Sequence, residues 1–268
     1  MLTGAADTGI LKTRPQTKIM SDSLPEVPKQ WIKGLVPTLN DKGFMFEVLD
    51  EYADEFIRQS AASNDEALEI GCAYGIATIA ALEAGARITA SDMDQRHLDV
   101  LQSRVSEDQA KRLTLLAGTL PDIDLPENHF GTLLCSRVLH FLPGDEIDQS
   151  VRNMYRWLKP GGQLYLVADT PFGIWRNFIP TWEQNLANGE RWPGHMEKPI
   201  NYLPYKPSSD DIGPPLMNLL DPDLLSRTCE EAGFKIQKAS FVDRSDFGDK
   251  GRMDGRENCG VSAIKPLN

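Results

Sequence analysis

The stretch ALEIGCAYGIATIAALEAGARITASDMD, residues 67–94, restricts the fold more than any other part of the chain. A short apolar run carries an acid, Glu69, just before a turn of spacing Gly71-x-Ala73-x-Gly75. An alanine-rich segment of helical length follows, then a second apolar run ending in another acid, Asp92. Strand, small-residue turn, helix and carboxylate-ended strand make the first half of a nucleotide-binding α/β unit.

Details of the turn choose among nucleotides. The dinucleotide fingerprint GxGxxG needs its third glycine so that helix and strand pack closely and pyrophosphate rests on the helix N-terminus. Ile76 stands at that position here, and Ala73 replaces the second glycine. Glu69, beside the turn, would repel a pyrophosphate. It suits a ligand with a cationic end, such as an α-amino group near a sulfonium. Asp92 has about the spacing at which an acid accepts hydrogen bonds from ribose hydroxyls.

Further landmarks follow in order. RLTLLAGTLPDIDLP predicts a third strand over 112–117 that runs into a loop. HFGTLLCSRVLHFLPGDE predicts a fourth strand over 131–136, a turn and a new helix. YRWLKPGGQLYLVAD predicts a helix end, a Pro160-Gly161-Gly162 turn and a fifth strand over 163–168. The succession of E-x-G-x-A-x-G, Asp92, Pro126-x-x-x-Phe130, a Val138-Leu139-His140-Phe141-Leu142 ending and L-K-P-G-G resembles the class I S-adenosylmethionine-dependent methyltransferases. The resemblance covers residues 44–170 well and 221–265 by pattern. It implies a Rossmann-like α/β fold: a seven-stranded, mostly parallel sheet with an antiparallel last strand and helices on both faces. The implied cofactor is S-adenosyl-L-methionine, with S-adenosyl-L-homocysteine as product.

The resemblance also implies a residue set. Glu69, Gly71, Cys72, Ala73 and Gly75 would border the methionine part of the cofactor, and Asp92 would take the ribose hydroxyls, with Met93 against the adenine. Thr119 and Leu120 would flank the adenine edge, and Ser136 and Arg137 would lie by the sulfonium and amino acid portion. Two positions depart from the pattern. Thr119 stands where many relatives carry an acid that bonds the adenine amino group, and Gly131 replaces the acid that usually follows the phenylalanine.

Three parts are expected along the chain: a flexible N-terminal segment over 1–43 that could cap the site, a cofactor-binding core over 44–170 and 221–268, and an insertion over 171–220. In the core, Leu49, Tyr52, Ala53, Phe56 and Ile57 mark one buried face of a helix within 44–57. Ile147, Val151, Met154 and Leu158 do the same after the fourth strand. Asp221-Pro222 starts a helix that Gly233 stops. The runs 235–242 and 259–265 read as a closing hairpin. The insertion holds Trp175, Phe178, Trp182, Trp192, Tyr202 and Tyr205 among prolines and glycines. It reads as a substrate lid with a short helix near 174–187; a packing or dimer-contact insertion is the alternative.

Methyl transfer from a sulfonium is an in-line displacement whose leaving thioether needs no acid. Rate can come from positioning and water exclusion, and a base is needed only for a protonated acceptor. Candidate catalytic groups are His140, just after the fourth strand, Asp169, ending the fifth, and His195 in the insertion. His140 could accept a proton or simply bond to backbone, and Asp169 could orient substrate or cap a helix. His97 is expected to face solvent, and His129 to sit in a loop. His, Asp and Glu are scattered without metal-ligand spacing, so no metal is expected. A net charge of −11 opposes nonspecific attraction to nucleic acid or anionic membrane. No run is long and apolar enough to span a bilayer, and MLTGAADTGILKTRPQTK lacks a signal-peptide core. Cys72, Cys135, Cys229 and Cys259 read as reduced thiols of a cytoplasmic protein. The leading reading is a methyltransferase acting on oxygen or nitrogen of a small molecule. Protein or tRNA methylation, a noncatalytic cofactor-binding role and a nicotinamide oxidoreductase are the alternatives, the last denied by Ile76. A homodimer is left open. Asp92→Ala is expected to abolish donor binding with the fold intact.

Overall fold

The structure is a computed structural model that describes residues 24–30, 34–204 and 213–267. The expected mobility of residues 1–23, and Tyr205 of the insertion, lie outside the described residues. Two short strands, β1 (Leu35–Pro37) and β2 (Phe44–Phe46), pair antiparallel and precede helix α1 (Glu51–Ala62). The expected helical start at 44 is corrected here, and Leu35–Pro37, within the segment expected to be flexible over 1–43, form a strand. Asp50 is the reason the helix starts late: its side chain accepts from the Tyr52 and Ala53 amides, an N-cap that fixes the first turn. The apolar face runs as expected, with Tyr52, Ala53 and Phe56 buried. Ahead of it, Leu35 and Val36 are buried rather than loose.

The α/β unit follows as β3 (Glu66–Ile70), α2 (Ile76–Glu83), β4 (Ile88–Asp92), α3 (Gln95–Arg104), the single turn α4 (Glu107–Ala110) and β5 (Leu113–Ala117). Next come β6 (Phe130–Ser136), α5 (Gly144–Trp157) and β7 (Leu158–Asp169). The expected turn at 160–162 is absorbed into β7, whose pairing with β6 shifts register there. The inserted segment holds α6 (Ile179–Ala187) and an antiparallel pair, β8 (His195–Glu197) and β9 (Leu216–Asn218). Helix α7 (Pro222–Ala232), capped by Asp221 and stopped by Gly233 at φ 105°, leads to β10 (Lys235–Val242) and β11 (Asn258–Ile264).

Seven strands form one sheet in the order β10-β11-β7-β6-β3-β4-β5. Strand β11 runs antiparallel to both of its neighbours, and the pairs among β7, β6, β3, β4 and β5 are parallel. The strand order reverses between β3 and β6, which leaves a crevice beyond their carboxyl ends. Glu69, Asp92, Ser136 and Asp169 therefore arrive at one edge of the sheet from four different strands. Alternation along β6 divides the core. Leu133 and Cys135 pack with Ile147, Met154 and Leu166 on the α5 face, while Leu134 packs with Phe56, Ala81 and Tyr165 on the α1 face. Phe178, Trp182, Met196 and Met217 of the inserted segment join the α5-side core. The four cysteines are buried and unbridged, and no described helix is long and apolar enough to cross a membrane.

Candidate functional site

The crevice contains a cavity of about 220 Å³ beneath the β1–β2 hairpin. Glu69, Gly71, Cys72, Ala73, Asp92, Met93, Thr119, Leu120, Ser136 and Arg137 all line it. Gly75 does not; it sits one step back at φ 81°, where a Cβ would fall 2.2 Å from a Leu101 methyl. The turn is tight because Gly71 and Cys72 both donate to the Ser91 carbonyl, at 2.8 and 3.0 Å. Gly71 takes φ 75° and Ala73 φ 44°, both left-handed.

Glu69 forms the buried end of this cavity and accepts a short hydrogen bond from the Thr78 hydroxyl. Burial pushes its carboxyl up to about 7, against the opposing pull of Thr78. Its charge is thus conditional near neutrality. The raised pKa means that protonation stabilises the ligand-free fold. That contribution is complete below the ordinary value of 4.5 and is lost as pH rises through about 7. A cationic amino group favours the carboxylate instead. Calorimetric affinity for S-adenosylhomocysteine is expected to rise as pH climbs through about 7 and to fall again only at alkaline pH, where the ligand's own amino group deprotonates. Glu69→Gln should flatten the lower limb, and a flat wild-type profile would contradict the assignment.

Asp92 holds more of the structure than its sequence position suggests. Its Oδ2 accepts from the Ala73 amide at 2.9 Å, and its Oδ1 from the Asp94 amide at 2.9 Å. Oδ1 also lies 2.9 Å from His97 Nδ1. The Leu39 amide donates to His97 Nε2 at 2.9 Å, so Nδ1 carries the ring proton and donates to Asp92. His97 is therefore buried and fully engaged, contrary to the expected solvent-facing position. A continuous line of hydrogen bonds runs from Leu39 in the hairpin loop through His97 and Asp92 to Ala73 in the turn. Arg96 to the Leu39 carbonyl (2.6 Å) and Tyr74 to the Pro37 carbonyl (2.8 Å) tie the same hairpin down.

A second cavity of about 320 Å³ shares seven wall residues with the first: Thr38, Lys42, Gly43, Phe44, Phe46, Arg137 and Phe141. Arg137 stands between the two at φ 59°. It donates to Ser136 Oγ at 2.9 Å and to Asp50 and Asn258 at 3.0 Å each, and its guanidinium lies 4.1 Å from the Phe46 ring centre. Asn258 in turn donates to Asp169 Oδ1 at 2.8 Å, and Trp175 Nε1 to Asp169 Oδ2 at 3.2 Å. His140 and Asp169 both line the second cavity. The Asp169 amide donates to His140 Nδ1 at 3.0 Å, and burial holds the ring below its ordinary pKa. The imidazole is neutral with its proton on Nε2, so it presents a donor, not the lone pair a base would need. His195 is exposed on β8 and lines neither cavity, and His129 pairs with Glu66 at 3.1 Å, away from both.

Sequence reasoning missed Asp50, Asn258, the bond from Trp175 to Asp169 and the true setting of His97. Asp50 carried a readable sign, an aspartate just ahead of an apolar helical face. Asn258 carried none, because its partners lie 89 and 121 residues away.

The first cavity suits S-adenosylmethionine. A carboxylate stands at its buried end for an amino group, and Asp92 Oδ2 keeps a lone pair for a hydroxyl. Met93 and Leu120 offer apolar surface for a base. A Cβ on Gly71 would fill the cradle, falling 2.2 Å from Val138.

Residues 67–162 match the family model of the methyltransferase domain. Over 106 residues the chain is 31% identical to a cypemycin N-terminal methyltransferase from Streptomyces sp, covering 39% of this chain and 42% of that protein. Over 109 residues it is 29% identical to a ubiquinone biosynthesis O-methyltransferase from Pseudomonas putida, covering 40% and 45%. The matched stretch thus spans less than half the length of these relatives. The crystal structure of a SAM-dependent methyltransferase from Methanosarcina mazei superposes with a TM-score of 0.59 at 17% identity, over 82% of this chain and 99% of that one. The domain match over residues 67–162, the shared fold and the cavity chemistry all support a class I S-adenosylmethionine-dependent methyltransferase.

Proposed function

We propose that this protein transfers a methyl group from S-adenosylmethionine to oxygen or nitrogen of a small acceptor held in the second cavity. One observation carries the reading: the two cavities share a wall of Phe44, Phe46, Arg137 and Phe141, so their occupants meet along aromatic rings set around one guanidinium. When bound, S-adenosylmethionine supplies a methyl carbon activated by cationic sulfur. Glu69 holds the amino group and Asp92 the ribose hydroxyls. Met93, Thr119 and Leu120 flank the adenine, and Ser136 and Arg137 flank the amino acid portion. The aromatic seam excludes water and fixes the approach of the acceptor, the part of the barrier that orientation can lower most. The segment over 171–220 serves as the lid, supplying Trp175, Ile200 and Met217 to the acceptor side. The relatives are named for such different acceptors as the cypemycin N-terminus and ubiquinone precursors, so acceptor choice rests on this cavity. Its volume of about 320 Å³ and the charge of −11 favour a metabolite over nucleic acid. Buried, unbridged cysteines suit the reducing cytoplasm.

Incubation with methyl-labelled donor and fractionated cell extract tests this reading. Label is expected in the small-molecule fraction. Label confined to protein or tRNA would replace the acceptor class, and tight donor binding with no labelled product in any fraction would leave a noncatalytic binding protein.

A further inference from the structure

The second cavity narrows the acceptor further, an inference that rests on the transferase reading above. Two polar groups of fixed character line it. His140 has its Nδ1 committed to the Asp169 amide at 3.0 Å, and no described residue takes up its Nε2–H. Asp169 receives one hydrogen bond on each oxygen, from Asn258 and Trp175, which leaves a lone pair free on each. Thr38, Asp41, Lys42 and Arg137 also line the cavity, and among them His140 and Asp169 offer a donor paired with an anionic acceptor against the rings of Phe44, Phe46, Phe141 and Trp175. A hydroxyl answers both at once: its oxygen accepts from His140 and its proton points to Asp169. An aliphatic amine does not. With a pKa near that of lysine, about 10, it would sit beside Asp169 as an ammonium with no lone pair to attack. Any carboxylate is a far weaker base than an aliphatic alkoxide, which favours an acidic hydroxyl over an aliphatic alcohol.

We infer that the acceptor is a flat, ring-bearing molecule with a phenolic or enolic hydroxyl, held by a hydrogen bond from His140 Nε2 and deprotonated by Asp169. As the oxygen bonds to the methyl carbon, its O–H bond breaks and the proton passes to an Asp169 oxygen. The sulfur–methyl bond breaks with its electron pair left on sulfur. His140 stays neutral throughout, a catalytic donor and not the base.

Calorimetry on the full chain saturated with S-adenosylhomocysteine tests this with para-cresol, its methyl ether and para-methylbenzylamine as probes. The cresol is expected to bind about tenfold tighter than the ether, which cannot donate to Asp169. With labelled S-adenosylmethionine the cresol should be methylated in preference to the benzylamine, whose ammonium has no lone pair. Asp169→Ala should bring the cresol and ether affinities together, and His140→Ala should weaken both. Nitrogen-15 chemical shifts of the unmutated protein give a reading independent of folding in the variants: His140 should carry its proton on Nε2 near neutral pH. Equal cresol and ether affinities, preferential methylation of the benzylamine, no cresol binding beside intact S-adenosylhomocysteine binding, or a proton on Nδ1 each overturn the inference. Loss of S-adenosylhomocysteine binding itself would instead bring down the transferase reading beneath it.

Discussion

Asp92→Ala is expected to weaken S-adenosylhomocysteine binding by about a hundredfold or more and also to destabilise the fold by about 2–4 kcal/mol. The second effect revises the sequence-based expectation of an intact fold. The carboxylate is buried and bonds to Ala73, Asp94 and His97, so its removal leaves two amides and an imidazole N–H without their acceptor. Asp92→Asn is no remedy. An amide with its oxygen toward His97 turns its NH₂ group toward the Ala73 N–H, donor against donor. His97→Leu should reproduce part of both losses, since it breaks the same line at the hairpin. Chemical denaturation and calorimetry on the two single variants and the double variant would measure the link, with a coupling of about 1 kcal/mol expected. Strict additivity would show that the hairpin and the turn act independently.

Gly71→Ala is expected to abolish measurable donor binding and to cost about 2–4 kcal/mol of stability. Two causes act together. The backbone stands at φ 75°, where a side chain is strained by about 1–2 kcal/mol. The new methyl would also fall 2.2 Å from Val138 Cγ2, in the segment that leads into His140. Adding Val138→Ala to the variant should recover the steric part of the stability and leave the backbone part. Full recovery would mean the left-handed conformation costs nothing there, and no recovery would mean the clash is relieved by other movement.

Much of this arrangement was legible in the sequence because it is local. The run from Glu69 to Asp92, the Asp221-Pro222 start and the paired runs before and after the charged loop each carry their signal within a few residues. The seven-stranded, mostly parallel sheet with its antiparallel last strand followed from the family resemblance. The N-terminal region was misread because its order comes from distant partners. Strand β1 is held by β2, by Tyr74 and by the packing of Val36 on Val100 and Tyr74, none of which composition near residue 35 reveals. His97 was misplaced for the same reason. Its helix is polar on average, and only the hairpin loop and the end of β4 give the imidazole a buried place. His140 was located, and of its two expected roles the bond to backbone is the one observed; the choice was not legible because the tautomer is set by a backbone amide 29 residues away.

Strand β11 lies inside the sheet, between β7 and β10, and its first residue is Asn258. Asn258 joins Arg137 to Asp169, so the polar hub between the two cavities has no centre until that strand has slotted in. Its partners lie 89 and 121 residues away, so forming the hub closes long loops at an entropic cost that local pairings do not carry. A sheet lacking that strand would keep the crevice beside Glu69 and Asp92 and leave Arg137 and Asp169 unjoined. One asparagine on the penultimate strand of the sheet thus wires together side chains from two others.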